Sequence, residues 1–258
     1  GDADQLQHLQ RTLHRLAPNP RRGANENFPR KLSETGLFAE TAAHKLAPGV
    51  MPYRVTAELW SDSAIAERFV AIPGNAQLGT YTKTNAQIGI FTGDWEFPDG
   101  GLLAKTISLE LKPGDPSSRR RLETQILHFD VDTWKAYNYL WNENQTDAEL
   151  ADNLATDKPF QVGWDKAAAA AGPRGINAPT SYNPQAQALR RQQTWHHASR
   201  TECLLCHTTR VGVVLGFRPN QIADLSSFEA AGLFAAPPKS NKPPIPNPHD
   251  ESAPLESR

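Results

Sequence analysis

Only two cysteines occur in the chain, and they stand three residues apart with a histidine directly after them: Cys203-Leu204-Leu205-Cys206-His207. Two thiols on one helical turn can reach the two vinyl groups of a haem as thioethers, and the next residue can turn its imidazole beneath the ring to ligate iron. C-x-x-C-H is therefore read as a covalent haem c site with Cys203 and Cys206 as attachment points and His207 as proximal ligand. Three other readings compete with it. A structural zinc site wants four ligands, and no further cysteine or zinc-finger histidine pair exists. A thioredoxin-type dithiol wants a βαβ surround, which the flanking Arg200-Thr201-Glu202 and Thr208-Thr209-Arg210-Val211-Gly212 do not supply. A disulfide would close a very small ring and has no need of His207.

The iron's second axial position decides the function. A strong second ligand restricts haem to moving electrons, and an open position admits small molecules. Met51 is the single methionine; it lies in Pro48-Gly49-Val50-Met51-Pro52 and is taken as the distal ligand, against packing as a core residue. His44, His128, His196 and His197 are the alternatives, with an open site as a further one. Arg210 is assigned to a haem propionate. The six tryptophans read mainly as packing residues, and Arg119-Arg120-Arg121 as a solvated hairpin edge.

These groups need elements to hold them. Runs at 53–57, 68–72, 88–91, 102–111, 121–129 and 134–141 are short, partly alternating and separated by Gly, Pro and Asp turns, which predicts an antiparallel β domain. Leu6, Leu9, Leu13 and Leu16 predict a helix over residues 4–17. Residues 32–53 read as ordered coil around a helical turn, Thr146 as the cap of a short helix, and residues 184–200 as helix or coil leading into the cysteine pair. Prolines crowd residues 237–258, which read as a linker. The expected architecture is α+β: a mainly antiparallel β domain with a C-terminal, mostly helical haem-binding segment. Its parts are residues 1–30 (helix and loop), 31–150 (β domain), 151–236 (haem segment) and 237–258 (linker).

Across its 258 residues the chain carries 27 Lys+Arg against 28 Asp+Glu, a net charge of −1, and 38 % hydrophobic residues. That balance excludes an overall basic nucleic-acid binder and a highly charged disordered chain. No apolar run approaches the roughly 18–20 residues of a membrane helix. Residues 1–16 are polar, unlike a secretory leader, so a mature or trimmed chain is expected.

Thr194-Trp195-His196-His197-Ala198-Ser199-Arg200-Thr201-Glu202, running into the motif, and Val214-Leu215-Gly216-Phe217 after it resemble a group of secreted bacterial c-type cytochromes found in planctomycetes and proteobacteria. The resemblance extends to Leu32-Ser33-Glu34-Thr35-Gly36-Leu37-Phe38, Pro48-Gly49-Val50-Met51-Pro52-Tyr53, Glu58-Leu59-Trp60-Ser61-Asp62, Trp95-Glu96-Phe97-Pro98-Asp99-Gly100, Lys105-Thr106, Tyr139-Leu140-Trp141-Asn142 and His249-Asp250-Glu251-Ser252-Ala253-Pro254-Leu255-Glu256. It implies the first haem module of a usually diheme or dehydrogenase-fused protein. Trp95 to Lys105 also resembles, over a short stretch, the β-sheet haem proteins of the cytochrome P460 type, in which a lysine is linked to the porphyrin; Lys105 itself reads as a solvent-facing strand residue.

The expected function is thus a monohaem c-type electron-transfer module, periplasmic or secreted. Its partner would be a redox protein or an adjacent haem or dehydrogenase domain. The alternatives are a five-coordinate haem protein binding carbon monoxide, nitric oxide or peroxide, and a haem-bearing module that mainly docks its neighbours.

Overall fold

The alternating runs pair into one antiparallel sheet in the computed structural model, which describes residues 28–59, 61–152, 154–163 and 191–235. In chain order the strands are β1 (Phe38–Glu40), β2 (Lys45–Leu46), β3 (Met51–Tyr53), β4 (Ile65–Ala71), β5 (Gly79–Thr80), β6 (Trp95–Glu96), β7 (Leu102–Glu110), β8 (Arg119–Asp130), β9 (Thr133–Trp141), β10 (Ala148–Leu150), β11 (Thr156–Val162) and β12 (Arg191–His197). The main sheet has six strands in the order β10-β9-β8-β7-β4-β3, and β1-β2, β5-β6 and β11-β12 form three two-stranded ribbons.

A residue on a strand faces the side opposite to its neighbours', so β7 divides into two sets. Leu102, Ala104 and Thr106 face the N-terminal segment, where Leu32, Leu37, Phe38 and Val50 join Phe69, Ile126, Tyr139 and Trp141 in one core. Leu103 faces the opposite way, into a second core with Val70, Trp95, Phe97, Val214, Phe217, Phe228 and Phe234. The chain after the cysteine motif therefore roofs one face of the sheet, and residues 28–50 roof the other.

The rims of the sheet are short. β10 is met by Lys31 in a single bridge to Glu149, with the Leu150 amide donating to the Arg30 carbonyl at 2.8 Å. At the other rim, β3 contains Pro52, and the following residues Arg54 and Thr56 bond to Ala223 and Gln221.

Several expectations are corrected here. The C-terminal segment is not mostly helical: its described part begins with strand β12 and holds two short helices, α1 (Arg200–Cys206) and α2 (Ser226–Ala230). Seven and five residues are too few for helices stable by themselves, so tertiary packing and capping hold them. Residues 32–53 keep the expected helical turn, at Leu32–Glu34, but also hold three short strands, and Thr146 precedes strand β10 rather than a helix. Residues 88–91 form a turn, bonded from the Ile90 amide to the Asn85 carbonyl at 3.0 Å. The helix expected at 4–17 and the linker at 237–258 lie outside the described residues.

His44 shows how the N-terminal roof depends on pH. Its Nε2 lies 3.0 Å from the hydroxyl of buried Thr106, and its ring stacks on Phe38 at 4.7 Å. Burial, aided by the Arg121 charge, lowers its pKa to about 4, although Glu67 stands 3.6 Å from Nδ1. The unfolded chain therefore binds the proton first. Stability is unaffected above pH 6.5, falls as pH drops towards about 4, and levels off below it, a loss of about 3 kcal/mol from this one group. Replacing His44 with Asn, which tolerates the residue's positive φ of 54°, is expected to flatten that part of the slope. Denaturant midpoints measured between pH 7 and pH 4 check it, and an undiminished slope removes His44 as its source.

Candidate functional site

Helix α1 is written into the sequence by its cap. Ser199 accepts a hydrogen bond from the Glu202 amide at 3.3 Å, and the Glu202 carboxylate accepts one from the Ser199 amide at 2.7 Å. This reciprocal pair satisfies two otherwise orphaned donors at the helix start. The helix then carries Cys203 and Cys206 one turn apart, where side chains are neighbours on one face. Both are free thiols, Cys203 half-buried and Cys206 exposed. Burial pushes the Cys203 thiol up, and the Glu123 charge adds to it. A redox dithiol requires the opposite shift.

His207 closes the helix, its amide donating to the Cys203 carbonyl at 3.0 Å. Its ring is held by a turn six residues on, where Nδ1 lies 2.6 Å from the Val213 carbonyl oxygen. A carbonyl only accepts, so Nδ1 carries the proton and Nε2 keeps its lone pair. Burial lowers the imidazole's pKa, and the neutral ring is the form that ligates a metal. The supporting turn is strained: Val213 has φ 55°, unfavourable for a β-branched residue, and the Val214 amide reaches back to the Gly212 carbonyl at 2.5 Å. Gly212, at φ 78°, fits because a Cβ there would come within 3.2 Å of an Asp94 carboxylate oxygen and 3.3 Å of Phe91. Asp94 in turn takes both arms of Arg218, at 2.9 and 2.6 Å. Sequence reading missed this support, since Asp94 meets a residue far along the chain and Val213 acts through its backbone carbonyl, which residue type does not mark.

The strand leading into α1 is anchored by a buried carboxylate. Glu123 on β8 is 1 % exposed. It accepts from Gln125 Nε2 at 2.7 Å, from Asn138 Nδ2 on β9 at 3.0 Å, and lies 2.7 Å from His197 Nδ1 on β12. Three strands thus meet at one side chain, and the β12 member, His197, stands six residues before Cys203. Hydrophobic patterning could not have found it, because Glu123 occupies what reads as an ordinary polar strand position.

None of the α1 residues is buried, although its centre is apolar: Leu204 is 54 % and Leu205 76 % exposed. With Val211 and Leu215 they make half of the exposed large apolar side chains among the described residues. Such a concentration beside two free thiols marks a surface built to be covered.

Lys105 is the main correction at the site. It is not a solvent-facing strand residue. It is half-buried on the same side of β7 as Leu103, in register with Arg68 on β4 and Gln125 on β8. Its charge bears on the Cys203 thiol and the His207 imidazole. Burial lowers its own pKa, with Arg68 adding to the effect.

The other candidates sort by face. His44 and His128 lie on the side of the sheet turned away from α1: His44 bonds to Thr106, and His128 pairs in register with Leu102 and packs on Phe28. His196 is exposed with both ring nitrogens engaged, by Asp157 at 2.7 Å and Glu202 at 3.1 Å, and the Asp157 contact leads in raising its pKa. His197 is committed to Glu123. Met51 is on the α1 side of the sheet, opposite Val70 in β3–β4, half-buried against the Val70 and Phe217 cluster. Arg210 is exposed on a turn. Among the described residues no three His, Cys, Asp or Glu side chains gather in a set able to hold a metal ion.

No helix among the described residues is long and apolar enough to cross a membrane. In comparisons with family models, curated proteins and solved structures, nothing matched this chain.

Proposed function

We propose that the chain is a monohaem c module that passes single electrons, with Cys203 and Cys206 bonded to the porphyrin and His207 as proximal ligand. The observation that carries this reading is His207 itself. A half-buried, neutral imidazole directly after two free thiols, with Nδ1 donating to a backbone carbonyl, has the orientation that fixes a metal-ligating histidine and leaves Nε2 for the iron.

Cys203 and Cys206 would hold the porphyrin as thioethers, each S–H adding across a vinyl C=C with no net oxidation. Leu204 and Leu205 supply apolar contact where porphyrin would otherwise meet water. The Val213 carbonyl makes the imidazole more basic and fixes its plane. Arg210, free in the solvent, is placed in sequence to meet a propionate. When bound, haem supplies a one-electron ferric/ferrous couple. The protein's part is to hold it without rearrangement, which suits outer-sphere exchange with a redox protein or a neighbouring haem or dehydrogenase domain. Thiols intended for this fate belong to an extracytoplasmic, oxidising compartment served by a haem-attachment system.

The test is production of the chain alongside a haem c maturation system in a bacterial periplasm. One haem per chain is expected to survive denaturing electrophoresis and to appear in the intact mass. A chain that leaves the gel without haem stain, although folded and exported, refutes the reading. Carbon monoxide binding by the ferrous protein without displacement of a ligand would replace electron transfer with small-ligand binding.

A further inference from the structure

Many charged side chains on this fold find partners. Lys45 pairs with Glu40, Arg68 with Glu58, Lys135 with Asp130, Lys158 with Glu143 and Arg218 with Asp94. Lys105 does not: half-buried in the middle of the six-stranded sheet, it has no hydrogen bond or ion pair to any described residue.

The two carboxylates nearest in charge are already occupied. Glu58 is gripped by both arms of Arg68, each at 2.7 Å, and Glu123 is surrounded by Gln125, Asn138 and His197. An amine taken out of water without an acceptor is costly, so its position implies a partner other than these side chains. The register says where that partner lies. Lys105 belongs to the polar row Tyr53, Arg68, Lys105, Gln125, Asn138 that crosses the sheet one pleat away from the apolar row Met51, Val70, Leu103, Leu127. The apolar row is roofed by Val214 and Phe217. The polar row leads to α1, with its half-buried Cys203: Asn138 Nδ2 donates to the Ala198 carbonyl just before the helix at 3.4 Å.

Resting on the haem reading above, we propose that Lys105 Nζ meets the haem on the side opposite His207 and supplies the iron's second axial nitrogen. Met51 then serves as a packing residue of the apolar row. The uncharged amine is a good σ-donor to iron, and the desolvated surroundings that penalise an ammonium favour that form. Arg68, held by Glu58, keeps a like charge beside it and works in the same direction.

The test compares the haem-loaded protein with its Lys105→Ala, Lys105→Arg and Met51→Ala variants by optical and electron paramagnetic resonance spectra. The parent protein is expected to be low-spin without the far-red sulfur-to-iron band. Lys105→Ala should lose the low-spin signal and become high-spin. Lys105→Arg keeps the charge but cannot ligate, so it should behave like the alanine variant, and Met51→Ala should leave the spectrum unchanged. Rescue by arginine would assign the amine to a propionate and overturn the proposal. So would a low-spin spectrum that survives Lys105→Ala, or a sulfur band that disappears with Met51. Far-ultraviolet circular dichroism confirms that each variant is folded. Absence of covalent haem from the parent protein would instead refute the haem reading itself.

Discussion

Replacing Cys203 and Cys206 together with serine is expected to abolish covalent haem retention, leaving no stain on a denaturing gel and no haem increment in the intact mass. Each thioether needs its own sulfur, and the chain has no third thiol to substitute. The fold should survive: neither cysteine is buried, and neither is joined to another residue by a disulfide. Serine is tolerated at two positions of a helix already capped by Ser199 and Glu202. The single variants separate the sites, and each should retain haem through the remaining sulfur in lower yield. Should the double variant keep haem through denaturation, the attachment would have to lie elsewhere. His207→Ala, made in parallel, should retain thioether-bound haem but lose the parent's ligand field.

The second large effect falls on Glu123→Ala. Three buried or half-buried donors from β8, β9 and β12 would lose their common acceptor, and removing one member of such a buried polar cluster costs about 3–5 kcal/mol. A domain of ordinary stability has roughly 5–15 kcal/mol in all. The variant should therefore unfold at much lower denaturant concentration, and in the native state β12 and α1 should exchange amide hydrogens first. Glu123→Gln keeps the shape but turns a donor towards donors, so it should recover only part of the loss. Hydrogen exchange resolved over residues 192–207 and urea midpoints measure both. Unchanged midpoints would mean that β12 is held by other contacts.

The Cys-x-x-Cys-His spacing and the long β7, β8 and β9 strands were legible because their signals are local: fixed spacing in one case, alternation over nine or more residues in the other. What the sequence concealed is relational. The residues Arg-Gln-Gln-Thr-Trp-His-His at 191–197 contain little of β-branched type, so nothing local favours a strand; β12 exists because β11 pairs with it along its whole length. Thr146 looks like a helix cap, yet its amide and hydroxyl close a turn on the Asn142 side chain. The polar residue Lys105 in an alternating strand normally faces water. Only the roof formed by a segment about a hundred residues later turns that face inward. Glu123 and Asp94 were missed for the same reason, since their partners are assembled by the topology.

The short rims of the main sheet limit how another protein can join it. Three-residue edge strands, one containing a proline without an amide hydrogen, offer almost no backbone to extend. At the main sheet, recognition by β-augmentation, in which a visitor adds a strand of its own, has little backbone to use. On the electron-transfer reading proposed above, a donor or acceptor meeting the main sheet would instead read side chains, and contacts of that kind form and separate readily. The geometry that discourages the sheet from polymerising also suits a carrier that must release one partner before meeting the next.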